Sequence, residues 1–553
     1  MKSIHKRLAA LLCAVLLLLP VLSGCGGKTG QTHAAELTIA AGGQTQCRII
    51  YGSGCAEDVV EAAGYLQREI RRLTGAEMDV CEDMAVAVNA DSCEILLCAT
   101  DRPEDDLSYG AMERIGDWTV RVQGNKLTVA VSLSDCLMQA VQDLCDALSE
   151  HTENGTLTLP GGFEISGSAP SGPVADLPVL DGGSFLAATD GGNGTELAVY
   201  RAGSAACDAY LTKLERAGYA RYTDREIDGN RYFTYLGNGQ TLTVMDNPAM
   251  GTVRISVDPE EYRLDLAAQP LTAKVQPSVT LLGLEGYETN GSATQTGLSM
   301  LYQLSDGSFI VVDGGHNQEL AARQLYEMMV HLAPDPGDIT IAAWLITHSH
   351  NDHAGAFLSF RRNYARHVKL EKLLVNFPSE AQYNAAETST YYRDNVLADA
   401  MYYPDAQIIK VHPGQVFYLR DAVIEVLYTL DLYEPEALSY FNTSSIVCTV
   451  ALAGQKVLQT GDCSEEASGI LVQNYTGALR CDILQVAHHG AKGGTEALYR
   501  AADPLYVLWP SGSTAFNTYK TASNNTWLLN ESRMKRLWTA RSDMITLPLP
   551  LDD

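Results

Sequence analysis

The segment His348-Ser349-His350-Asn351-Asp352-His353 brings three imidazoles and one carboxylate together within six residues. Imidazole nitrogen combined with carboxylate oxygen suits zinc or iron, whereas magnesium and calcium prefer shells made of oxygen alone. A metal bound here would lower the pKa of its bound water from about 15.7 to near 7, so that hydroxide is available at neutral pH. The residue types therefore predict a metal site that carries out hydrolysis.

The elements around this metal loop can be predicted from the neighbouring residues. Ile341 to Ile346 is an unbroken apolar run, which is typical of a buried strand. The small residues Ala354, Gly355 and Ala356 lead into a predicted helix. The ligands are thus expected on a loop at the carboxyl end of a strand, where rigid scaffolds usually carry their chemistry.

Three further predicted strands lead to residues of the same chemical kind. Their terminal residues are Asp313 after Ser308 to Val312, Asp462 after Val457 to Gly461, and His488-His489-Gly490 after Leu484 to Ala487. In this order the four motifs resemble the metallo-β-lactamase superfamily over residues 279–553. The resemblance implies an αββα sandwich in which Asp313 structures the metal loops.

The same resemblance implies a two-metal centre, with zinc as the expected metal and manganese or iron as alternatives. The implied metal ligands are His348 and His350 for the first metal, Asp352, His353 and His488 for the second, and Asp462 as the bridge. His489 has two open roles, because it either replaces His488 as a ligand or stands behind the ligands as a proton donor. We expect Asp352 and His489 to be the catalytic residues.

One segment departs from the lactamase pattern. Phe441-Asn442-Thr443-Ser444-Ser445 stands where the superfamily places a further His ligand, and neither His367 nor His412 has the sequence context of that ligand. Asn442 and Ser445, with the Thr-Gly-Asp and His-His-Gly motifs, resemble the subgroup that includes the hydrolase domain of DNA-uptake competence proteins. This implies a more open shell around the first metal and cleavage of a phosphoester or phosphodiester.

Two other functions remain open on the same residues. A bridging hydroxide attacks a carbonyl carbon as readily as phosphorus, so a lactone, amide or lactam hydrolase is the competing enzyme class. A non-catalytic binding lipoprotein with a vestigial site is the alternative of another class. Intact ligands at all six metal positions argue against the second alternative.

The first 25 residues resemble a bacterial lipoprotein signal. Basic residues at positions 2, 6 and 7 precede an apolar stretch from Leu8 to Leu22, which is shorter than the roughly 20 residues that cross a bilayer as a helix. Leu22-Ser23-Gly24-Cys25 forms a lipobox, and residues 26–35 form a predicted flexible tether. We expect an extracytoplasmic protein that is attached to a bacterial membrane through lipid at Cys25.

The charge balance bears on the substrate. The whole chain has a formal net charge of −28, and residues 279–553 contain 18 Lys and Arg against 30 Asp and Glu, a balance of −12. A surface this acidic repels a dense array of phosphates, which disfavours nucleic acid as the partner. We expect a small-molecule or carbohydrate-linked ester instead.

Two smaller regions precede the hydrolase. Residues 36–168 contain predicted helices over Glu57 to Thr74 and Asp135 to Ser149 among short strands, which indicates an α/β accessory domain. This region weakly resembles the non-catalytic N-terminal domain of glycoside hydrolases. Residues 185–260 combine a predicted helix, Ala205 to Ala217, with strands and are expected to form an α+β accessory domain.

Predicted linkers over residues 169–184 and 261–278, both containing proline, separate these regions from each other and from the hydrolase. The thirteen cysteines include no C-x-x-C pair. Excluding Cys13 in the signal and Cys25 in the lipobox leaves an odd number, so we interpret them mainly as buried free thiols, with one or two disulfides as the alternative.

Overall fold

The computed structural model describes residues 36–553 except 54, 56, 99, 110, 111, 284–287, 290, 291, 294, 295, 387, 388, 541–543 and 553. The predicted signal, the lipobox at Cys25 and the tether lie outside the described residues. Within the described part, no helix is both long and apolar enough to cross a membrane.

The C-terminal half is built on two mixed β-sheets. The strand order of the first is Gln407–Lys410, Lys372–Val375, Ile339–Leu345, Phe309–Asp313, Ser299–Gln303, Ser278–Leu281, Ile545–Pro548, with Val368–Leu370 also paired to Ile339–Leu345. The strand order of the second is Val416–Leu419, Ala422–Tyr428, Val447–Leu452, Gln455–Gln459, Ile483–Gln485, Tyr506–Trp509, Arg536–Thr539. A short hairpin pairs Glu288–Thr289 with Ser292–Ala293.

Apolar side chains from both sheets meet in one buried layer, which includes Ile310 and Leu345 from the first sheet and Ile424 and Leu508 from the second. The outer face of the first sheet is covered by helices through residues such as Trp344. The helices of this half are Glu319–Leu332, Asn351–Tyr364, Glu380–Ala386, Tyr391–Ala400, Glu465–Asn474, Glu496–Ala502, Ser513–Tyr519 and Ser523–Asn530. The predicted αββα sandwich is confirmed.

The middle region is a six-stranded antiparallel sheet with one helix, Ser204–Arg216. Its strand order is Ser184–Gly192, Thr195–Arg201, Thr252–Asp258, Gln240–Asn247, Asn230–Gly237, Ala220–Ile227. Successive side chains of a strand point to opposite faces, and here both faces are apolar. Ala198 and Tyr200 pack with the helix, whereas Leu197 and Val199 pack into a core of the hydrolase.

The N-terminal region is a six-stranded sheet packed with helices. Its strand order is Asp79–Glu82, Arg48–Tyr51, Glu94–Leu97, Lys126–Val131, Asp117–Gln123, Glu164–Ser168; a second sheet has the order Leu37–Ala40, Thr156–Leu159, Thr152–Glu153; the helices are Glu57–Thr74, Pro103–Tyr109 and Leu137–Glu150. The predicted helix over Glu57 to Thr74 has the bounds that we expected, and it buries one apolar face that includes Leu66 and Ile70.

The two predicted linkers are packed against the protein. Val174, Leu177 and Leu180 in the first are at most 2% exposed and belong to the core of the middle sheet. In the second, Leu264 is buried in the hydrolase core, and the Lys274 amide donates to the Ser305 carbonyl at 2.6 Å. These segments therefore position the middle sheet rather than leave it free to move.

The cysteines divide between the two interpretations. Cys47 and Cys93 form a disulfide in the N-terminal region. Nine other cysteines in the described part are free, and six of these are buried: Cys136, Cys145, Cys207, Cys448, Cys463 and Cys481.

Candidate metal centre

Parallel pairing brings the chemical residues to one edge of the sandwich. In the first sheet Phe309–Asp313 runs parallel to Ile339–Leu345, and in the second Gln455–Gln459 runs parallel to Ile483–Gln485. The carboxyl ends of parallel strands lie at the same sheet edge, where ligands of α/β proteins usually bind. Asp313, the metal loop, Asp462 and the His488-His489 pair follow these ends directly.

Asp313 holds the metal loop in place. It is fully buried, with a positive φ of 57°. Its Oδ1 accepts a hydrogen bond from the Thr347 amide at 2.7 Å, and its Oδ2 accepts from the Thr347 hydroxyl at 2.8 Å. Nδ1 of His353 donates to the same Oδ2 at 2.8 Å. Asp313 thus fixes both the start of the loop and one of its imidazoles, as its predicted structural role requires.

The two sheets approach each other closely beside this loop. Gly461 has a φ of 52°, and an added Cβ would lie 2.9 Å from Cβ of Thr347. Ile446 also donates its amide to the Thr347 carbonyl at 2.9 Å. The glycine of the Thr-Gly-Asp motif is therefore required by this close approach, which brings Asp462 from the second sheet to the metal loop of the first.

Four donor atoms converge at this edge. His353 Nε2 lies 3.1 Å from Oδ2 of Asp462 and 3.3 Å from Nε2 of His489. His489 Nε2 lies 3.2 Å from Oδ2 of Asp352 and 3.2 Å from Oδ2 of Asp462. Ligands about 2.0–2.1 Å from a tetrahedral metal are about 3.3 Å from one another. The observed separations therefore match those between ligands of a shared cation.

The donors form two groups. His348, His353 and Asp462 make up one, and Asp352, His353 and His489 make up the other, with all atoms of each group within 4.8 Å of one another. His353 belongs to both groups. Asp462 belongs to the first group and lies 3.2 Å from His489 of the second. The arrangement is that of two neighbouring cation sites. His350 lies at the first group, with its Nδ1 2.9 Å from Nε2 of His348.

The second ring nitrogen of these histidines is engaged away from the centre. His353 Nδ1 donates to Asp313, and His489 Nδ1 donates to the Pro510 carbonyl at 3.0 Å. His348 Nδ1 lies 3.2 Å from the Thr347 hydroxyl, which itself donates to Asp313. Such bonds fix the tautomer that leaves the other nitrogen free to bind a metal.

Buried carboxylates dominate the electrostatics of the centre. Burial alone would lower the pKa of His353, but Asp462, Asp313 and Asp352 outweigh it and raise that pKa well above its ordinary value. Burial is likewise outweighed at His489, where the same kind of neighbours raise the pKa to about 9. The pKa of His348 is lowered by its burial and by His353 and His350. A cation would relieve this excess of buried negative charge.

The structure separates the two adjacent histidines of the His-His-Gly motif. His488 and His489 have φ values of 47° and 55°, the left-handed region that L-residues rarely adopt. His489 turns inward to the second group, while His488 Nε2 lies 3.9 Å from Asp462 and 3.1 Å from Nδ2 of Asn442. The structure therefore brings His489 among the donors and leaves His488 outside them, whereas the sequence favours His488 as the ligand with His489 as the alternative.

The next residue explains why this motif ends in glycine. Gly490 has a φ of 84°, and a Cβ there would overlap the buried indole of Trp509. That indole donates through Nε1 to the His489 carbonyl at 2.8 Å. The Ser511 hydroxyl donates to the same carbonyl at 2.6 Å. The strained turn that directs His489 inward is thus held by the following strand.

Asn442 and Ser445 lie next to His488 and to the Asp462 backbone, respectively. Asn442 is 2% exposed, and its Oδ1 has no hydrogen-bond partner among the described residues. Ser445 is fully buried, and its Oγ accepts from the Asp462 amide at 3.3 Å. Asn442 is therefore in contact with His488, and Ser445 supports the backbone that carries Asp462.

Other sequence candidates lie away from the donors. His412 is fully buried beside Asp258 and Asp431 at the boundary with the middle sheet. His367 is exposed. Cys463 is buried against Ser468, with its Sγ 3.6 Å from Oγ, rather than among the donors.

Sequence reasoning did not single out His316, which the structure places at the edge of the centre. It is 6% exposed, and its Nε2 lies 2.8 Å from the Thr296 carbonyl. Nδ1 of His316 lies 3.4 Å from Nδ2 of Asn351 in the metal loop. His316 directly follows Asp313-Gly314-Gly315, and this position in the sequence could have identified it as a residue of the centre.

The residues present fit a pair of divalent cations. Asp462 is 2% exposed, and its Oδ1 has no hydrogen-bond partner among the described residues. A buried carboxylate oxygen without a partner is costly, and a cation would satisfy it. The mixed imidazole and carboxylate donors suit zinc, iron or manganese.

Comparison with known proteins agrees with this geometry. Residues 294–507 match the family model described as the metallo-beta-lactamase superfamily. This match covers the part of the chain that carries all four motifs. The resemblance predicted from the four motifs is confirmed, and with it the prediction of a metal-dependent hydrolase fold that uses divalent cations.

One curated relative is ComE operon protein 3 of Bacillus subtilis strain 168, which is 28% identical over 175 residues. The alignment covers 31% of this chain and 20% of the relative. The chain thus matches only about a fifth of that protein's length.

Solved structures similar to this chain include YhfI of Bacillus subtilis, a metallo-beta-lactamase fold protein, with 15% identity and a TM-score of 0.29. That match covers 49% of this chain and 99% of YhfI. CmlA, a diiron beta-hydroxylase of Streptomyces venezuelae, matches with 11% identity and a TM-score of 0.32, covering 51% of this chain and 55% of CmlA.

Proposed function

We propose that this protein hydrolyses a phosphoester or phosphodiester with two metal ions, zinc being the first choice. The observation that carries the proposal is the pair of donor groups that share His353 and border on Asp462. His348, His353, Asp352, Asp462 and His489 would hold the cations, and the bound pair would supply hydroxide at neutral pH and charge stabilisation for an in-line displacement.

The chain's own residues prepare the centre for this chemistry. Asp313 and the Pro510 carbonyl hold two imidazoles in the metal-binding tautomer. Asp352 stays ionised, because His353 and His489 outweigh the effect of its burial and hold its pKa far below the ordinary value. The site is therefore preorganised for cations and needs little rearrangement when they bind.

The Asn442 segment favours phosphorus over a carbonyl carbon as the centre of attack. It replaces a third imidazole by a neutral amide at the first group, which resembles the hydrolase domain of DNA-uptake competence proteins. The similarity to ComE operon protein 3 supports the same subgroup. A lactone, amide or lactam hydrolase is the competing proposal and shares every metal ligand.

The substrate panel that tests this contains a chromogenic phosphodiester, a phosphomonoester, a lactone and a β-lactam. We expect the metal-loaded protein to hydrolyse the phosphodiester fastest, and His353→Ala to abolish this activity. His367→Ala is the matched control, because His367 is exposed and lies away from the donors. Faster hydrolysis of the lactone or lactam would replace the proposal, and no turnover with two bound metals would favour a binding protein.

We also propose that the substrate is a small or carbohydrate-linked ester rather than polymeric DNA. The charge of −12 over residues 279–553 supports this. Single- and double-stranded DNA at low salt, compared with the small phosphodiester, provide the test. Metal-dependent DNA cleavage that is more efficient than small-diester hydrolysis, and is lost in His350→Ala, would contradict it.

We propose, finally, that Cys25 is acylated and anchors the protein outside the cytoplasmic membrane. The lipobox Leu22 to Cys25 after a basic and apolar leader supports this. Labelled fatty acid should be incorporated into the wild-type chain and not into Cys25→Ala. Equal labelling of both would show that the lipid, if any, is elsewhere.

A further inference from the structure

An exposed tyrosine stands directly beside the metal centre. Tyr440 is 42% exposed. Its hydroxyl accepts a hydrogen bond from Nδ2 of Asn442 at 3.3 Å and lies 3.4 Å from Nδ1 of His488. The hydroxyl end is thus held between Asn442 and His488, while the residue as a whole remains exposed to solvent.

The backbone that carries Tyr440 is supported by a stack of aromatic rings. Phe441 is 1% exposed, and its ring centroid lies 4.9 Å from that of His350. The ring of buried Tyr383 lies 4.6 Å from Phe441 on another side. Since Phe441 is buried and packs on His350, the backbone that carries Tyr440 is held next to the metal loop.

A second aromatic pair lies on the Asp352 side of the centre. The rings of Tyr391 and Tyr392 are 5.0 Å apart, and Tyr391 is 45% exposed. Burial raises the pKa of Tyr392, with Tyr391 and the Asp352 carboxylate adding to the effect while a hydrogen bond with Asn317 opposes it. Through Asn317, whose amide donates to Oδ1 of Asn351 at 3.0 Å, this pair is connected to the metal loop.

The arginine that lies beside these rings is paired with a carboxylate. Arg393 is paired with Asp394 at 2.8 Å and lies 5.1 Å from the Tyr383 ring, with only 14% of its side chain exposed. Lys492 is exposed, and its carbonyl accepts from His488. A surface of this kind recognises a ring through stacking more than it recognises a chain of phosphates through charge.

We propose that Tyr440 stacks on a planar or sugar ring that the substrate carries next to the ester it presents to the metals, so that Tyr440 determines specificity. This inference rests on the proposed function, because it names the substrate class of the same site. An aromatic platform of this kind strengthens the binding of one ring about tenfold. Stacking should therefore raise the affinity and lower KM, with little change in kcat, because the ring lies away from the reacting bond.

The test compares two non-hydrolysable probes, phenylphosphonate and methylphosphonate, by calorimetric titration of the metal-loaded protein. We expect phenylphosphonate to bind about tenfold more tightly. Tyr440→Ala should remove this preference, and Tyr440→Phe should keep it because the ring remains. Tyr402→Ala is the matched control, because Tyr402 is an exposed tyrosine (61%) at a different place. Its ring lies 4.2 Å from the guanidinium of Arg361, and Arg361 is in the last turn of the helix that begins at the metal loop.

In kinetic measurements, the KM for a phenyl phosphodiester should be about tenfold lower than the KM for a methyl phosphodiester. Equal binding of the two phosphonates, binding of neither, or an unchanged ratio in Tyr440→Ala would overturn the inference even if phosphodiesters are hydrolysed. A different result would contradict the proposed function without contradicting this inference. If only carbonyl esters are hydrolysed, and the aryl preference still depends on Tyr440, the phosphoester proposal is wrong and the ring site stands.

Discussion

Two clusters of buried imidazole and carboxylate lie in this protein, and they differ in one decisive respect. The first is the metal centre around His353 and His489. The second, which we call the His412 cluster, consists of His412, Asp258 and Asp431 at the boundary between the hydrolase and the middle sheet. Their residue types are nearly the same.

In the His412 cluster every carboxylate oxygen has a partner. His412 Nε2 donates to Asp258 at 3.0 Å, and Nδ1 donates to Asp431. Thr195 and Tyr262 donate to the two oxygens of Asp258, and Asn376 and Ser256 donate to those of Asp431. With both ring nitrogens donating to carboxylates, this cluster is a closed ion network that joins two domains.

The metal centre is not closed. Oδ1 of Asp462 lacks a partner among the described residues, and nitrogens of different histidines face one another at 2.9 Å and 3.3 Å. The comparison teaches that residue type alone does not distinguish a structural ion network from a metal site. The distinction lies in whether the buried donors satisfy each other or converge with donor atoms left unpaired.

The largest expected effect separates the adjacent histidines of the metal centre. His489→Ala should remove a cation of the second group and reduce hydrolysis by more than roughly 100-fold, the upper range for residues that only hydrogen-bond to a metal ligand. His488→Ala should cost only about tenfold, because His488 lies outside both donor groups. Initial rates and metal content check this. Equal losses in the two variants would mean that His488 is also a ligand.

Removing His412 should affect stability rather than metal binding. His412→Ala leaves Asp258 and Asp431 buried without their shared cation, which costs about 3 kcal/mol in the free energy of unfolding. Urea unfolding measures the change, and the metal content of the folded variant should equal that of the wild type. Loss of metal from a folded His412→Ala protein would contradict the division between the two clusters.

The pH dependence of stability should distinguish the His412 cluster. Burial alone would lower the pKa of His412, but Asp258 and Asp431 outweigh it and raise the pKa to about 10. A folded-state pKa above the unfolded value of about 6.5 gives stability that is complete below pH 6.5 and is lost as the pH rises toward 10. The slope is at most about 1.4 kcal/mol per pH unit.

His412→Gln provides the control for this dependence. It lacks the titrating group, so its free energy of unfolding should change less than that of the wild type between pH 7 and pH 10. Parallel curves for the two proteins would show that His412 is not charged in the folded state.

The smallest expected effect on hydrolysis, equal to that of His488→Ala, is at Asn442. Asn442→Ala should reduce hydrolysis by about tenfold while both metals stay bound, because a neutral amide orients the centre and does not neutralise a cation. Rates and metal content measured on the same sample check this. Metal loss as severe as in His489→Ala would make Asn442 a full ligand and the first shell closed.

Much of the sandwich and of the donor set could be predicted, because unbroken apolar runs in the sequence end directly at the donor residues. The run before Thr347 is apolar throughout, and the run Phe309 to Val312 is likewise unbroken. Strands of parallel pairs are buried on both faces and show such runs. A polar residue at the end of each run therefore marks the sheet edge where the donors meet.

Other features depend on contacts that the sequence does not reveal. The choice between His488 and His489 follows from two consecutive left-handed residues held by Trp509 and Ser511. The role of His412 depends on Asp258, which is distant in sequence and comes from another sheet. In the first linker, Val174, Leu177 and Leu180 are spaced three apart, and this apolar spacing was a signal of burial that its prolines and glycines obscured.

The central claim is that two cations bind at the group of His348, His353 and Asp462 and at the group of Asp352, His353 and His489. The most direct test is elemental analysis of the purified protein after reconstitution with zinc, manganese or iron and removal of excess metal. We predict two ions per wild-type chain, no more than one in Asp352→Ala, and two in His412→Gln. A wild-type content near zero with every metal, or the same loss in His412→Gln as in Asp352→Ala, would contradict the account.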